Sequence, residues 1–596
     1  MKRTVEFVSD NTRTKRPKLY NLDIQEKYIS ATHLYNYLIG DPIVDWFKKY
    51  TKINYNSNNN CSNNFISCIM QKGIDFEEYI INCLKEKHDV VSISNVINEE
   101  TIQKTKDCMM EGAPIIHSAP LKNELKKLQG IADLLIRSDY ISCLFDIEPL
   151  EDNEINIFSP KLNNNYYYVV VDIKFSTLPL RSDRIHILNS PKYIAYKSQC
   201  LVYTEAVGNI QGYTSNLSFI MGRRNKNVKN GIVNNCRNCF DRLGRIDYNG
   251  LDIDILSKMN KAIKWIKDVK KYGKKWKINP PSRKELYPNM CVDSGIWNNK
   301  KEEIANDIGE ITKIWYVGTK NRNIALEKGI KSWRDKKCNS KNLNIKGTRG
   351  KVIDSILNIN RQKEIKVLPK VINNNLYDWK HKLNEVFVDF ETISDITSDF
   401  NNDIFGKSKD IIFMIGVGYE DNGKFQYRKF ICDNNSRESE FKMMNDFNTF
   451  MYERNFPKMY CWYAEENFWK TAEQRQFDIA CENNDDERKD LISDKWKIHN
   501  WADLCKVFQS EPIVIKDCFK FGLKHIAKAL YKNKLIFTKL ESNCDNGLSC
   551  MIKAYEVYQN EKDPVNSKTM DDISKYNKFD CKVLWEILQY LRNNHI

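Results

Sequence analysis

Glu385-Val386-Phe387-Val388-Asp389-Phe390-Glu391-Thr392 alternates as a half-buried strand does. Successive strand side chains point to opposite faces, so Val386, Val388 and Phe390 share one face and Phe387, Asp389 and Glu391 the other. Two carboxylates side by side on one face can bind divalent cations together. Near the C-terminus, Tyr576-Asn577-Lys578-Phe579-Asp580 begins a helix whose Phe579, Val583, Leu584, Ile587 and Leu588 suit packing on a sheet. Tyr576 and Asp580, four residues apart, share the neighbouring helix face. Asp421-Asn422-Gly423 between apolar runs reads as a hairpin turn. The G-x-x-x-x-G-K spelling from Gly418 to Lys424 is not a phosphate-binding loop, because Phe425 stands where Ser or Thr would hold magnesium.

A second acidic strand lies upstream. Tyr166 to Lys174 is aromatic and β-branched, and alternation puts Asp172 and Lys174 on one face. A carboxylate that holds a cation beside an ammonium can polarise a scissile phosphate, although further acids must complete the oxygen shell. Gly130 to Ile136 reads as the preceding strand of a hairpin that brings Asp133 to Asp172, and Gly73-Ile74-Asp75-Phe76-Glu77-Glu78 as the opening of an amphipathic helix ending near Lys87 that supplies Glu77. Gln199 and Tyr203, at i and i+4 on a later helix, share a face.

The order G-x-x-F-E, isolated Asp, D-x-K strand and Q-x-x-x-Y, over roughly Gly73 to Tyr203, resembles the RecB branch of the PD-(D/E)XK nucleases. The resemblance implies that Glu77, Asp133 and Asp172 are metal ligands, Lys174 the catalytic lysine, and Gln199 and Tyr203 supporting and substrate-contacting residues. Ala132 stands where the family has proline. D-x-E on a first strand with Y-x-x-x-D on a late helix, over roughly Glu385 to Leu591, resembles the tyrosine-bearing DEDD 3′-5′ exonucleases of the DnaQ, RNase H-like superfamily. That resemblance implies that Asp389, Glu391 and Asp580 hold Mg2+ or Mn2+, and that Tyr576 orients the attacking water. For the family's middle aspartate this chain offers Glu465, with Glu466 next to it. Asp503-Leu504 and Leu523 to Ala527 resemble the connecting strand and helix, where structural roles are expected.

The 596 residues are enough for several cores, and an excess of 93 Lys and Arg over 78 Asp and Glu, a formal charge of +15, favours an anionic partner. The expected partner is DNA, with RNA as the alternative. There is no long apolar run, so no membrane association is expected and the reading is of an intracellular protein of cytoplasm or nucleus, with Lys15-Arg16-Pro17-Lys18 as a basic import-type signal. The Asn-, Lys- and Ile-rich composition suits an AT-rich genome such as that of a large DNA virus.

The expected architecture is multidomain α/β. It comprises a basic, Asn-rich N-terminal region (1–64), a PD-(D/E)XK restriction-endonuclease-like domain (65–224), a mainly helical middle segment (225–346), a linker (347–376) and an RNase H-like exonuclease domain (377–596). Within the middle segment, Ile311 to Ile330 resembles one helix-hairpin-helix element, whose turn at Gly318 and Lys320 would contact a phosphate. Cys236 and Cys239 have C-x-x-C spacing, but no second such pair follows and Cys200, Cys291 and Cys338 are isolated, so free thiols are expected rather than zinc or an iron-sulfur cluster. The function expected is a metal-dependent DNA nuclease in repair, recombination or viral genome processing. Its competitors are a nucleic-acid-binding scaffold with inactive sites and an RNA-processing exonuclease.

Overall fold

A computed structural model describes residues 27–52, 60–229, 232–235, 238–394, 410–496, 499–539, 544 and 546–596. The basic run at residues 15–18 and Cys236 lie outside the described residues.

The first long helix, α1 (Asn60–Lys85), falls between the first and second strands of a sheet built from β1 (Ile29–Ser30), β2 (Val90–Ser92), β3 (Ile115–Asn123), β4 (Leu128–Arg137), β5 (Tyr168–Pro179), β6 (Leu217–Lys229), β7 (Ile232–Asn235) and β8 (Gly244–Asp247). The order is β2-β3-β4-β5-β6-β7, with β1 beside β4 and β8 beside β6. β3, β4 and β5 are antiparallel neighbours. β6 runs parallel to β5, and helix α2 (Pro191–Gln211) makes the crossover. Alternation decides which helix covers which face. Val169, Val171 and Ile173 pack with Phe76, Ile80 and Leu84 of α1, whereas Tyr168 and Val170 pack with Leu201 and Val202 of α2 and with helix α3 (Asp254–Tyr272).

The second sheet contains β10 (Glu385–Ile393), β11 (Ile411–Asp421), β12 (Lys424–Ile431), β13 (Lys458–Cys461) and β14 (Asn500–Asp503), in the order β12-β11-β10-β13-β14. The first three strands are antiparallel, and β13 and β14 run parallel to β10. The β11–β12 turn has φ +49° at Asn422 and +74° at Gly423, the two left-handed residues that a tight hairpin needs.

Three expected boundaries move. The N-terminal sheet does not stop at residue 224, because β6 runs on to Lys229 and β7 and β8 join it. These strands are polar, so they lack the apolar alternation that marks a strand. The stretch 347–376, expected as a linker, contains helix α5 (Gly347–Arg361), which follows helix α4 (Thr319–Glu327), and strand β9 (Val367–Leu368), paired with β15 (Val514–Ile515). Val352, Ile353, Ile356 and Leu357 of α5 share one core with Phe387, Tyr460, Phe508 and Leu588, so a cut at residue 377 would divide a single core. Finally, α1 begins at Asn60, inside the Asn-rich tract, rather than at Gly73. Its Cys68 packs at the core of the second sheet, beside the helix Gly547–Asn560, while Phe76 packs under the first. The helices of the C-terminal half are α6 (Arg437–Glu453), α7 (Glu465–Glu482), α8 (Leu504–Ser510), α9 (Leu523–Lys532), α10 (Gly547–Asn560) and α11 (Lys568–Asn594).

Candidate active sites

In the C-terminal half, β10 supplies Asp389 and Glu391, α7 supplies Glu465 in its first turn, and α11 supplies Tyr576 and Asp580. Glu391, Glu465, Tyr576 and Asp580 are all buried. Burial raises the Asp389 carboxyl well above its usual range, and Asp580, Glu391 and Glu465 add to this. Burial, reinforced by Asp580, pushes Glu391 up to about 8. Burial also lifts Asp580 to about 7 against the opposing charge of Lys524, and Glu465 to about 7 against the backbone amides it accepts from. Glu391 Oε1 and Asp580 Oδ1 are buried and accept no hydrogen bond.

The two glutamates of the middle motif part company. Glu465 Oε2 accepts from the backbone N–H of Trp462 (3.1 Å) and Ala464 (3.2 Å), and its carboxylate belongs to the acid cluster. Glu466 instead pairs with Lys470 at 2.5 Å on the outer face of the helix. Just before them, Tyr463 is 70% exposed with φ +86°, a conformation costly for a large side chain, and its N–H donates to Asp503 Oδ1 at 3.1 Å. Asp503 also caps α8 through the N–H of Cys505, as a structural role requires.

Asn577 and Lys524 join this cluster without having been expected there. Asn577 Nδ2 donates to Asp389 Oδ2 at 2.8 Å, and the Tyr427 hydroxyl donates to Asn577 Oδ1 at 2.9 Å, which locks the amide and so the carboxylate. The signal was available: Asn577 lies three residues, about one helical turn, before Asp580. Gly416, opposite Asp389 in the ladder, makes room for it. A Cβ at Gly416 would lie 1.5 Å from Asn577 Oδ1, so α11 reaches the sheet only over a bare backbone. Gly416→Ala is expected to cost about 3 kcal/mol or more by overpacking. Chemical denaturation of the full-length variant measures this, and an unchanged midpoint would contradict the packing.

In the N-terminal half the antiparallel β4–β5 pair brings Asp133 beside Asp172. Lys174 Nζ lies 2.5 Å from Asp172 Oδ2 and 3.7 Å from Asp133 Oδ2, and the Ile173 N–H donates to Asp133 Oδ2 at 2.7 Å. Burial raises Asp133 and Asp172; Lys174 opposes the rise in both, while Glu77 adds to it. The same two carboxylates outweigh burial at Lys174 and raise its ammonium. Gln199 Nε2 lies 3.5 Å from Asp172 Oδ1 and donates to the Tyr203 hydroxyl at 3.0 Å. Tyr203 fits because residue 130 is glycine: a Cβ there would come within 2.4 Å of the Tyr203 ring. The ladder slips between Lys174 and Thr177, a bulge that bends β5 just past the lysine.

His117 of β3 was not foreseen. Its Nε2 lies 3.1 Å from Glu77 Oε1 and its Nδ1 3.2 Å from Ser92 Oγ, so it orients the acid that α1 carries to the sheet. An isolated histidine in a strand gives no sequence signal of such a role.

The Gly318 N–H donates to Asn321 Oδ1 at 3.2 Å and is used inside the turn, while Lys320 is exposed. A 3-10 turn at Ile311–Lys313, rather than an α-helix, leads into it. Cys200 and Cys338 are buried thiols and Cys291 an exposed one, and Cys239 is buried. Among the described residues no helix is long and apolar enough to cross a membrane.

No curated protein and no solved structure matches the chain. Residues 397–592 match the model of a family described as belonging to the RNase H superfamily. The match takes in Glu465, Tyr576 and Asp580 and begins just after β10, and it supports a nuclease whose substrate is nucleic acid. Over its C-terminal third the chain is thus similar to the RNase H superfamily.

Proposed function

We propose that this chain is a divalent-cation-dependent nuclease acting on DNA, with a 3′-5′ exonuclease site of the DnaQ type in the RNase H-like domain and a RecB-like PD-(D/E)XK site in the N-terminal half. The observation that carries the reading is the mutual electrostatic influence of Asp389, Glu391, Glu465 and Asp580, with Glu391 Oε1 and Asp580 Oδ1 buried and accepting no hydrogen bond. The N-terminal site is supported by the Asp133–Lys174–Asp172 contact on adjacent strands and by the order of α1, β3, β4, β5, α2 and β6.

Mg2+ or Mn2+, held by these carboxylates, would activate water and offset charge on the scissile phosphate. The chain's own groups do the positioning. Asn577 fixes Asp389, the Tyr576 hydroxyl stands on the same helix face as Asp580 to orient the water, and exposed Tyr463 is placed to stack on a base at the strand end. In the N-terminal site the Lys174 ammonium faces the reacting phosphate beside Asp172, and His117 holds Glu77.

Digestion of end-labelled DNA and RNA by the full-length protein with Mg2+, Mn2+ or EDTA tests the proposal. Cation-dependent release of mononucleotides from DNA is expected. Binding without cleavage under every condition would leave only a scaffold, and preference for RNA would reassign the substrate. The charge of +15 also predicts that DNA affinity falls about tenfold or more between low and physiological salt, because neutralised phosphates release counterions. A flat salt titration would contradict nucleic acid as the main partner.

The raised acids fix the pH dependence of cation binding. Because Glu391, Glu465 and Asp580 keep their protons to higher pH when folded than when unfolded, the cation-free fold loses stability as the pH rises from about 4 through about 8. A cation that binds the ionised acids should restore it. The rise in thermal midpoint on adding Mg2+ is therefore expected to be larger at about pH 8 than at about pH 5.5. An equal rise at both would mean that these acids do not bind it.

A further inference from the structure

Lys524 occupies the first turn of α9, where a positive charge opposes the helix dipole. Leu523, Ile526, Ala527 and Leu530 bury one face of that helix in the core, which leaves Lys524 beside α11. Its Nζ lies 3.9 Å from the centre of the Tyr576 ring. Its charge acts on Asp580 first, with Glu391 and Asp389 also in range. A half-buried ammonium at a helix N-terminus is unfavourable on two counts, desolvation and dipole; burial lowers the Lys524 ammonium below its ordinary value, and the Asp580, Glu391 and Asp389 carboxylates oppose that only in part. The contact with the tyrosine face adds a cation–π attraction that fixes the ring as well as the charge.

We propose that Lys524 is a positioning residue of the RNase H-like site: its ammonium holds the Tyr576 ring and the Asp580 carboxylate in register before cation and substrate arrive. The effect on turnover rests on the exonuclease reading above; the effect on the carboxylates does not. The test uses the full-length chain in an Asp172→Asn background, which removes the N-terminal activity. Lys524→Met keeps the stem without the charge, and Lys524→Arg keeps the charge. Each is titrated calorimetrically with Mn2+ and assayed for mononucleotide release from a 5′-labelled strand.

Lys524→Met is expected to bind Mn2+ about tenfold more tightly, because a like charge has left the site, yet to turn over at least about tenfold more slowly with little change in KM. Lys524→Arg should recover most of the turnover. Unchanged turnover in Lys524→Met overturns the proposal, as does an equal loss in both variants with unchanged Mn2+ affinity, which would mark a merely structural residue. If the parent releases no nucleotide, the exonuclease reading falls, and the Mn2+ affinity alone decides for or against Lys524.

Discussion

Asp580→Asn in the full-length chain abolishes release of mononucleotides from a 5′-labelled strand, by a factor of about a thousand or more, and does so without unfolding the protein. The amide keeps the shape of the carboxylate on α11 but cannot bind a cation as an anion does. Asp580 is buried among Glu391 and Asp389, which repel it, so removing its charge relieves the cation-free site. The variant should therefore melt no lower than the parent in EDTA and should gain less from added Mg2+. Melting at a lower temperature in EDTA would show that Asp580 holds the fold rather than the cation. The companion variants separate the two glutamates. Glu465→Gln should lose activity because its carboxylate belongs to the cluster, whereas Glu466→Gln, paired outward with Lys470, should keep it. The reverse result would reassign the middle acid.

The second large effect concerns the other half of the molecule. In an Asp580→Asn background, Lys174→Met removes the remaining cation-dependent cleavage, by about a hundredfold or more. Lys174 Nζ is 2.5 Å from Asp172, which is fully buried, so the variant also strands a carboxylate. Burial already raises Asp172, and the stranded acid can take up a proton instead of remaining charged. A loss of stability is thus expected to accompany the loss of activity, and Asp172→Asn, which leaves no stranded acid, provides the control. Cleavage that survives in both folded variants would remove the N-terminal site from the proposal.

How far the residues announced this arrangement depends on whether their roles are local. Asp389 with Glu391, and Tyr576 with Asp580, are spaced by the period of one strand or one helix, so each pair was legible before the fold was known. Asp172 and Lys174 were legible for the same reason. The hairpin at Asn422 and Gly423 follows from turn chemistry alone. His117 and Lys524 were not legible, because each acts through an element remote in sequence, β3 on α1 and α9 on α11. Gly416 has meaning only once α11 is seen to lie on it. Segment 347–376 misled for a related reason. Its polar stretches around Asn358 to Asn375 read as linker, whereas the apolar face of α5 finds partners more than a hundred residues later.

Helix α1 gives the molecule a property that neither acid cluster has alone. Cys68, anchored against the C-terminal core, and Glu77, facing the N-terminal acids, are nine residues apart on one helix, about 14 Å of rigid rise. A rocking motion of the C-terminal half would carry Glu77 with it. The posture of the C-terminal half is thereby expected to reach the acids proposed for the N-terminal site, so that the two halves would not behave as independent beads on a string.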